Sequence, residues 1–313
     1  MATDTATQAR SSRRIVLEDQ GPRDGFQVEK TVVPTDIKLS FIEGLVDAGL
    51  KRIQVCSFVS PKAVPQMADA EELCARLPKR DDVIFSGLVL NEKGIDRAIA
   101  SGLKHVACSY SASDTHSKKN TRMSLVEAQA EYERTVKKAK DAGLTLRGGL
   151  QCVFGCRYEG RIDPDAVLKM VERHFALGID ELALADSTGM AHPEAIRFIM
   201  ERVVPMAEGK PVILHLHDTE ARAMVNAFAA IDCGVRHFDT AFAGMGGCPY
   251  IKGASGNLST EDLCVAVHGM GYETGIDVRK VAALGRRVEE FFGKQFWGKM
   301  HRVLGTENIQ VIA

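Results

Sequence analysis

Two histidines two positions apart, His215 and His217, close the apolar run in "PVILHLHDTEARAM" (residues 211–224), and Asp218 follows directly. Alternate residues of a strand share a face, so the two rings stand about 6.6 Å apart at Cα on one side of a sheet and can reach one point. Such a pair is a candidate for holding a cation. Taken alone, it reads more simply as two polar residues at a strand end, each satisfied by a neighbouring carbonyl. Elsewhere in the chain stand a carboxylate, Asp24 in "GPRDGFQ", and an amide, Asn257 in "GASGN". Two nitrogens and two oxygens, with water filling the remaining positions, favour Mg2+ or Mn2+ and leave zinc open. Each also has a plainer reading alone: Asp24 as a turn former, Asn257 as a helix cap. Arg23, next to Asp24, is either a surface turn residue or a guanidinium placed to polarise a carbonyl and hold a developing enolate. The segment from Gly244 to Gly256 carries five glycines in thirteen residues, with Cys248 in its middle. That composition suits a loop that moves or lets a substrate approach its backbone. A thiol there is placed to shuttle a proton, unless it is an incidental cysteine beside Pro249.

These residues form one site only if the fold brings them together. One junction recurs: an amphipathic helix, then a small residue and glycine, then a short β-rich run. It occurs at "DAGLKRIQV" (Gly49), "ASGLKHVAC" (Gly102), "DAGLTLRGG" (Gly143), "ALGIDELAL" (Gly178) and "DCGVRHFDT" (Gly234). Glycine there suits a left-handed helix stop. "LPKRDDVIFSG" and "AEGKPVILHL" fill the gaps in the spacing, and "RIVLED" opens the series, giving eight strands each followed by a helical pattern. Strands alternating with helices imply a parallel sheet, and eight units imply an α/β fold of the closed (β/α)8 TIM-barrel type. The strand runs are continuous rather than alternating, as expected when both faces are covered. A doubly wound open sheet is the alternative, but no Gly-rich phosphate loop follows the first strand. The expected organisation is a disordered tail over 1–13, a catalytic barrel over 14–273 and a helical extension over 274–313 packed on the barrel. In such barrels chemistry sits at the C-terminal strand ends, where "DQGPRDGFQ", "CSFVSPK", "ADSTG", His215 and His217, and the Gly-rich segment all lie. In that frame Asp24, His215, His217 and Asn257 read together as a metal set.

The bulk properties exclude several classes. The chain has 313 residues, 45% of them hydrophobic, and a formal net charge of −1 from 40 basic and 41 acidic residues. No basic stripe marks a nucleic-acid surface, and no apolar run approaches the roughly 20 residues of a membrane span. The eight cysteines form no CxxC pair, and several sit in apolar runs. They read as reduced thiols of a cytoplasmic protein.

Six pieces, "GPRDGFQ", "SFVSPKAVPQMAD", "GCRYEGRI", "ADSTG", "HLHDT" and "GMGGCPYIKGASGNLSTEDL", together resemble the 3-hydroxy-3-methylglutaryl-CoA lyase family over about residues 14 to 270. The last block is highly specific to that family, whereas "PRDG" and "HLHD" are shared with related aldolases and Claisen-type synthases. The resemblance implies Asp24, His215, His217 and Asn257 as ligands of a divalent metal, Mg2+ or Mn2+. It implies Arg23 in substrate binding and enolate stabilisation, with Gln27 and Ser57 also at the substrate. Cys248 would be the mobile general acid/base, and Asp186 of "ADSTG" matches a position near that chemistry, with a structural role equally open. The implied reaction is retro-Claisen cleavage of a 3-hydroxyacyl-CoA, and the implied partners are an acyl-CoA substrate and further copies of the chain.

Three positions depart from the family. Gln54 stands where a glutamate is usual in the second strand, Ala63 replaces the tryptophan of "VSPKW", and Phe26 replaces the leucine of "DGLQ". The lost indole leaves room beside the pocket unless Phe26 or a loop shift refills it. The lost carboxylate changes the charge around the metal. These changes point to a relative of 3-hydroxy-3-methylglutaryl-CoA altered at the acyl end. Rival classes fit less well. Metal-dependent hydrolases carry His-x-His on the first strand, a non-catalytic scaffold needs no thiol lid, and Claisen-type synthases carry a long C-terminal regulatory region.

Overall fold

The computed structural model describes residues 13–247 and 255–305. Its strands are β1 (Val16–Asp19), β2 (Arg52–Ser57), β3 (Ile84–Val89), β4 (His105–Ser111), β5 (Thr145–Gln151), β6 (Glu181–Asp186), β7 (Val212–Leu216) and β8 (His237–Thr240). They pair in parallel in sequence order and close on themselves, β8 meeting β1 with Val16 opposite His237 and Asp19 opposite Thr240. The TIM barrel expected from the sequence is therefore present. Around it run α1 (Thr35–Asp47), α2 (Ala70–Ala75), α3 (Glu92–Ala100), α4 (Asp114–Thr121), α5 (Leu125–Asp141), α6 (Pro164–Ala176), α7 (Pro193–Met206), α8 (Ala223–Asp232) and α9 (Thr260–Gly269). Helices α10 (Val278–Phe292) and α11 (Met300–Val303) follow. The extra helix is α4, which precedes α5 after β4, where the repeating pattern implied one. Side chains of Asn91, Ser113, Ser124, Asp163, Ser259 and Asp277 accept backbone N–H bonds at helix starts, supplying the acceptors that the first turns lack.

All five repeated junction glycines have positive φ, between 69° and 99°. At Gly49 a second constraint acts: a Cβ would lie 2.4 Å from the Gly275 carbonyl oxygen, so the chain leading into α10 needs glycine there. Helix α10 lies against α1, with Leu284 so close to Gly44 that any Cβ on the latter would clash at 2.6 Å. The C-terminal segment then reaches the exit of β8. Gly298 N donates to the Ala243 carbonyl at 2.8 Å, and His301, fully buried, sits 3.0 Å from both Glu261 and Glu289.

The outer face of the strands fits the continuous-run expectation: Ile53, Val55, Leu146, Leu182 and Phe238 are buried in one apolar layer. The inner face does not. Arg52 donates to Glu18 at 3.0 Å on the adjacent strand and reaches across the barrel to Glu181 with two bonds of 2.8 and 2.6 Å. His105 lies 3.3 Å from Glu181, and Ser86 Oγ donates to Glu18 at 2.6 Å. Arg147, in the next tier, pairs with Glu18 at 3.3 Å and with Asp239. All of these side chains are buried. Buried ions persist only when paired and hydrogen-bonded, and removing one partner of such a pair typically costs about 3–5 kcal/mol.

Candidate metal centre and active site

At the C-terminal mouth, β1 runs into a single wide helical turn, Gly21–Gly25, whose proline stands where no backbone donor is missed. This turn presents Arg23 and Asp24 to the barrel axis. The segment 255–259 runs beside the exit of β7, with Leu258 N donating to Leu216 O at 2.9 Å and Asp218 N to Gly256 O at 3.1 Å. His217 and Asn257 are bridged partners in that contact. Ligand atoms of Asp24, His215 and His217 all lie within 4.8 Å of one another, the convergence expected from the sequence. Asn257 joins them: its Nδ2 donates to Asp24 Oδ2 at 2.8 Å and to Met245 O at 3.0 Å. Gly246 closes over this pair, where a Cβ would meet Asn257 Nδ2 at 2.4 Å and Asp24 Oδ2 at 3.0 Å, and its φ is 99°.

The donor set fits a divalent ion. His215 Nδ1 lies 2.9 Å from a carboxylate oxygen of Asp239, an arrangement that puts its proton on Nδ1 and leaves the Nε2 lone pair facing the centre. That Nε2 is 3.1 Å from His217 Nε2, a separation that suits either a hydrogen bond between the rings or two ligands of one cation. Asn257 Oδ1 is buried with no hydrogen-bond partner. Burial and the proximity of His215 push His217 down to about 4, so its ring stays neutral and able to ligate near neutral pH. Burial acts to raise Asp24, but the charge of Arg23, the neighbouring His215 and His217 rings and the hydrogen bond from Asn257 outweigh it and hold the carboxyl below its ordinary range.

Arg23 is held from three sides. Its Nε donates to Gln54 Oε1 at 2.5 Å, one Nη to Asp24 at 2.5 Å and the other to Gln20 Oε1 at 3.0 Å. Gln54 therefore touches the arginine directly. The cleft above the site has a volume of about 1530 Å³, and Arg23, Gln27, Gln54, Ala63 and Lys93 line it. Gln27 Oε1 is buried and unpartnered there. Ser57 is fully buried, its Oγ unpartnered, and is absent from the cleft wall. Asp186 is turned out of the cleft, between Ala185 and Ser187 that line it, and accepts from Met190 N and Ala191 N, both at 3.0 Å. Burial pushes it up to about 6 despite those two bonds. Phe26 does not refill the space at Ala63: it is fully buried against Phe41, Phe242 and Phe292, behind the Gly21–Gly25 turn. Cys248 lies outside the described residues. The sequence reading missed Asp239, Arg147 and Gln20. A charged residue inside a strand run, as in "HFDT" and "TLRGG", was the available signal.

A closed barrel that gathers one carboxylate, two imidazoles and a buried amide oxygen at its strand ends, beside an arginine, has the layout of a barrel enzyme that activates carbonyl compounds at a cation site. The sequence pattern of the HMGL-like family matches residues 14–288, and the chain belongs to that family, as a carbon–carbon lyase. It is 38% identical over 284 residues to the mitochondrial hydroxymethylglutaryl-CoA lyase of Bos taurus, covering 91% of this chain and 87% of the relative. It is 39% identical over 271 residues to the cytoplasmic 3-hydroxy-3-methylglutaryl-CoA lyase of Rattus norvegicus, covering 87% and 79%. The solved HMG-CoA lyase of Acinetobacter baumannii, in complex with coenzyme A and 3-methylmalate, superposes with a TM-score of 0.91 at 35% identity, covering 96% of this chain and 99% of that one.

Proposed function

We propose that this chain cleaves the C2–C3 bond of a 3-hydroxyacyl-CoA by retro-Claisen chemistry, taking 3-hydroxy-3-methylglutaryl-CoA to acetyl-CoA and acetoacetate. The observation that carries this is the convergence of Asp24, His215, His217 and Asn257 beside Arg23 in a chain of this family. Mg2+ or Mn2+ held by those four residues would act as a Lewis acid, lowering the pKa of a hydroxyl bound to it. The remaining work falls to the chain. Asp239 fixes the tautomer and orientation of His215. Cys248, as general base, takes the C3 hydroxyl proton as the C2–C3 bond breaks, which leaves a ketone at C3 and moves the electron pair onto C2 and the thioester oxygen. Arg23, held by Gln54, Gln20 and Asp24, offers its guanidinium to that oxygen. Cys248 supplies the proton that converts the enolate carbon to the methyl of acetyl-CoA, and Gln27 binds from the cleft wall. Ser57 and Asp186, expected at the substrate, lie buried behind that wall instead, and Asp186 holds the turn at Met190 and Ala191. Lys93 offers a cation to the phosphates of CoA at the outer cleft.

The reading includes a homo-oligomer and a cytoplasmic location, the compartment for which the rat relative is named. Among the described residues no helix is long and apolar enough to cross a membrane. Ala63 and Gln54 favour a substrate altered at the acyl end, and the A. baumannii relative was solved with 3-methylmalate, a shorter hydroxy diacid. Discrimination per methylene in an apolar pocket is about 10–200-fold, so the preference is graded. The test is a coupled assay for acetyl-CoA release across CoA thioesters of 3-hydroxy-3-methyl diacids and their shorter analogues, with and without a chelator. Metal-dependent release is expected, and no release from any member ends the lyase reading. In the same assay Cys248→Ser keeps substrate binding and loses most turnover, because a serine hydroxyl cannot exchange a proton near neutral pH.

A further inference from the structure

Gln20 follows β1 directly, one residue before the Gly21–Gly25 turn, and is 1% exposed. Its Oε1 accepts from an Arg23 Nη at 3.0 Å. That bond settles which way the amide faces, since a guanidinium has no acceptor to offer an NH2 group. Its Nε2 is consequently a donor pointing away from Arg23, buried, and without any hydrogen-bond partner. The residue lines the cleft together with Arg23, Asp24 and His217. A buried donor without a partner is destabilising, so its presence at a ligand cleft calls for an acceptor that arrives with the ligand. Gln54 takes the opposite side of the same guanidinium, again through a carbonyl oxygen. Arg23 is thus clamped by two neutral amides, and among the described residues its ion-pair partner is Asp24, the carboxylate of the candidate metal set.

We propose that Gln20 is a catalytic residue, whose Nε2 donates, beside the Arg23 guanidinium, to the thioester oxygen of the acyl-CoA as enolate charge develops on it. The assignment rests on the lyase reading and deepens it. One side chain performs two tasks: its carbonyl aims Arg23, and its amide supplies the second arm of an oxyanion site. Because the donor is fixed before substrate arrives, it gains strength as charge builds and favours the transition state over the bound substrate.

The test uses the full-length enzyme loaded with Mn2+, with steady-state kinetics on its best substrate and calorimetric binding of CoA and of carboxymethyl-CoA, whose carboxylate mimics the enolate. Gln20→Met keeps the length of the side chain and removes the donor; kcat is expected to fall about a hundredfold with KM within about twofold. Carboxymethyl-CoA is expected to bind at least tenfold more weakly to the variant while CoA binds as before. Gln20→Glu retains an acceptor for Arg23 but has no donor, and is expected to lose turnover as Gln20→Met does. Near wild-type turnover in Gln20→Glu, or a loss confined to KM in Gln20→Met, overturns the assignment. So does a crystal structure of Gln20→Met in which Arg23 has left Gln54 and Asp24, because the lost activity then belongs to the arginine. Failure of the wild-type enzyme to release acetyl-CoA from any substrate condemns the lyase reading instead.

Discussion

The two ends of the barrel are built from the same residue types and treat them in opposite ways. At the floor Glu18, Arg52, Glu181 and Arg147 each meet an opposite charge at close range. Burial works to raise Glu181, yet hydrogen bonds from His105 and Arg52 outweigh it and hold the carboxyl far below its ordinary range. At the mouth, Asn257 Oδ1, His217 Nδ1, Gln20 Nε2 and Gln27 Oε1 are buried without partners. The floor pairs its charges internally, with only His105 Nδ1 and Arg147 Nη1 among these groups lacking a hydrogen-bond partner. The mouth leaves its unmatched groups beside an open cleft, and in the proposed reading their complements come from a cation and a substrate. Between them stands Asp239, which pairs with Arg147 below and His215 above.

This contrast can be broken most severely at the mouth. Asp24→Ala is expected to lower turnover on the order of a thousandfold or more, the several kcal/mol that a bound cation contributes. Metal binding followed by calorimetry should be lost with it. The unfolding free energy of the metal-free protein should change far less than in any floor variant, and a comparable drop would erase the distinction. Arg52→Met comes next. It leaves Glu181 with His105 and Glu18 with Arg147 and Ser86, and is expected to cost about 3–5 kcal/mol in denaturant unfolding, with metal affinity unchanged in the fraction that folds. Asp239→Asn tests the seam: a weakening of metal affinity by about 10–100-fold is expected, together with a stability loss because Arg147 keeps only Glu18. If affinity holds while stability falls, Asp239 belongs to the floor alone. The smallest effect is a pH dependence. Glu181 titrates lower in the folded chain than in the unfolded one, so its contribution is fully present above the ordinary carboxylate range and is lost as pH falls through and below it. Stability measured from pH 7 downward should decline more steeply for the wild type than for Glu181→Gln. Parallel curves would show that the floor pairing adds nothing to acid sensitivity.

What could be read from the chain follows the range over which each signal acts. The helix–glycine–strand junctions are local, and all five repeats have the left-handed glycine they imply. The convergence of the candidate ligands was legible because His215 and His217 share a strand face and the barrel rule gathers strand ends, which brings in Asp24 from 191 positions away in the chain. Floor pairs were invisible for the opposite reason. Arg52 and Glu181 stand 129 residues apart, each near a strand start, where a charge reads as a solvated end. Nothing along the chain shows that opposite strands of the barrel will press them together. Parity hid the rest: a one-residue change at a strand end decides whether Ser57 and Asp186 face the cleft or the wall, and spacing alone does not fix where the strand stops. Phe26 followed the same logic, since a turn residue beside a ligand looks as if it should face the substrate, yet it packs into the aromatic cluster behind the turn.

The fastening of β8's exit by the far end of the chain has a consequence for biosynthesis. Glu261 accepts from the backbone of Ala243, His301 sits between Glu261 and Glu289, and Gly298 bonds back to the same Ala243. The turn at Ala243 is thus fastened in part by Gly298 and His301, which are translated 55 and 58 positions later. Until Gly298 and His301 have been made, the turn at Ala243 has only its bond to Glu261, so a chain cut short after α9 is expected to lack this fastening even if its eight strands have closed.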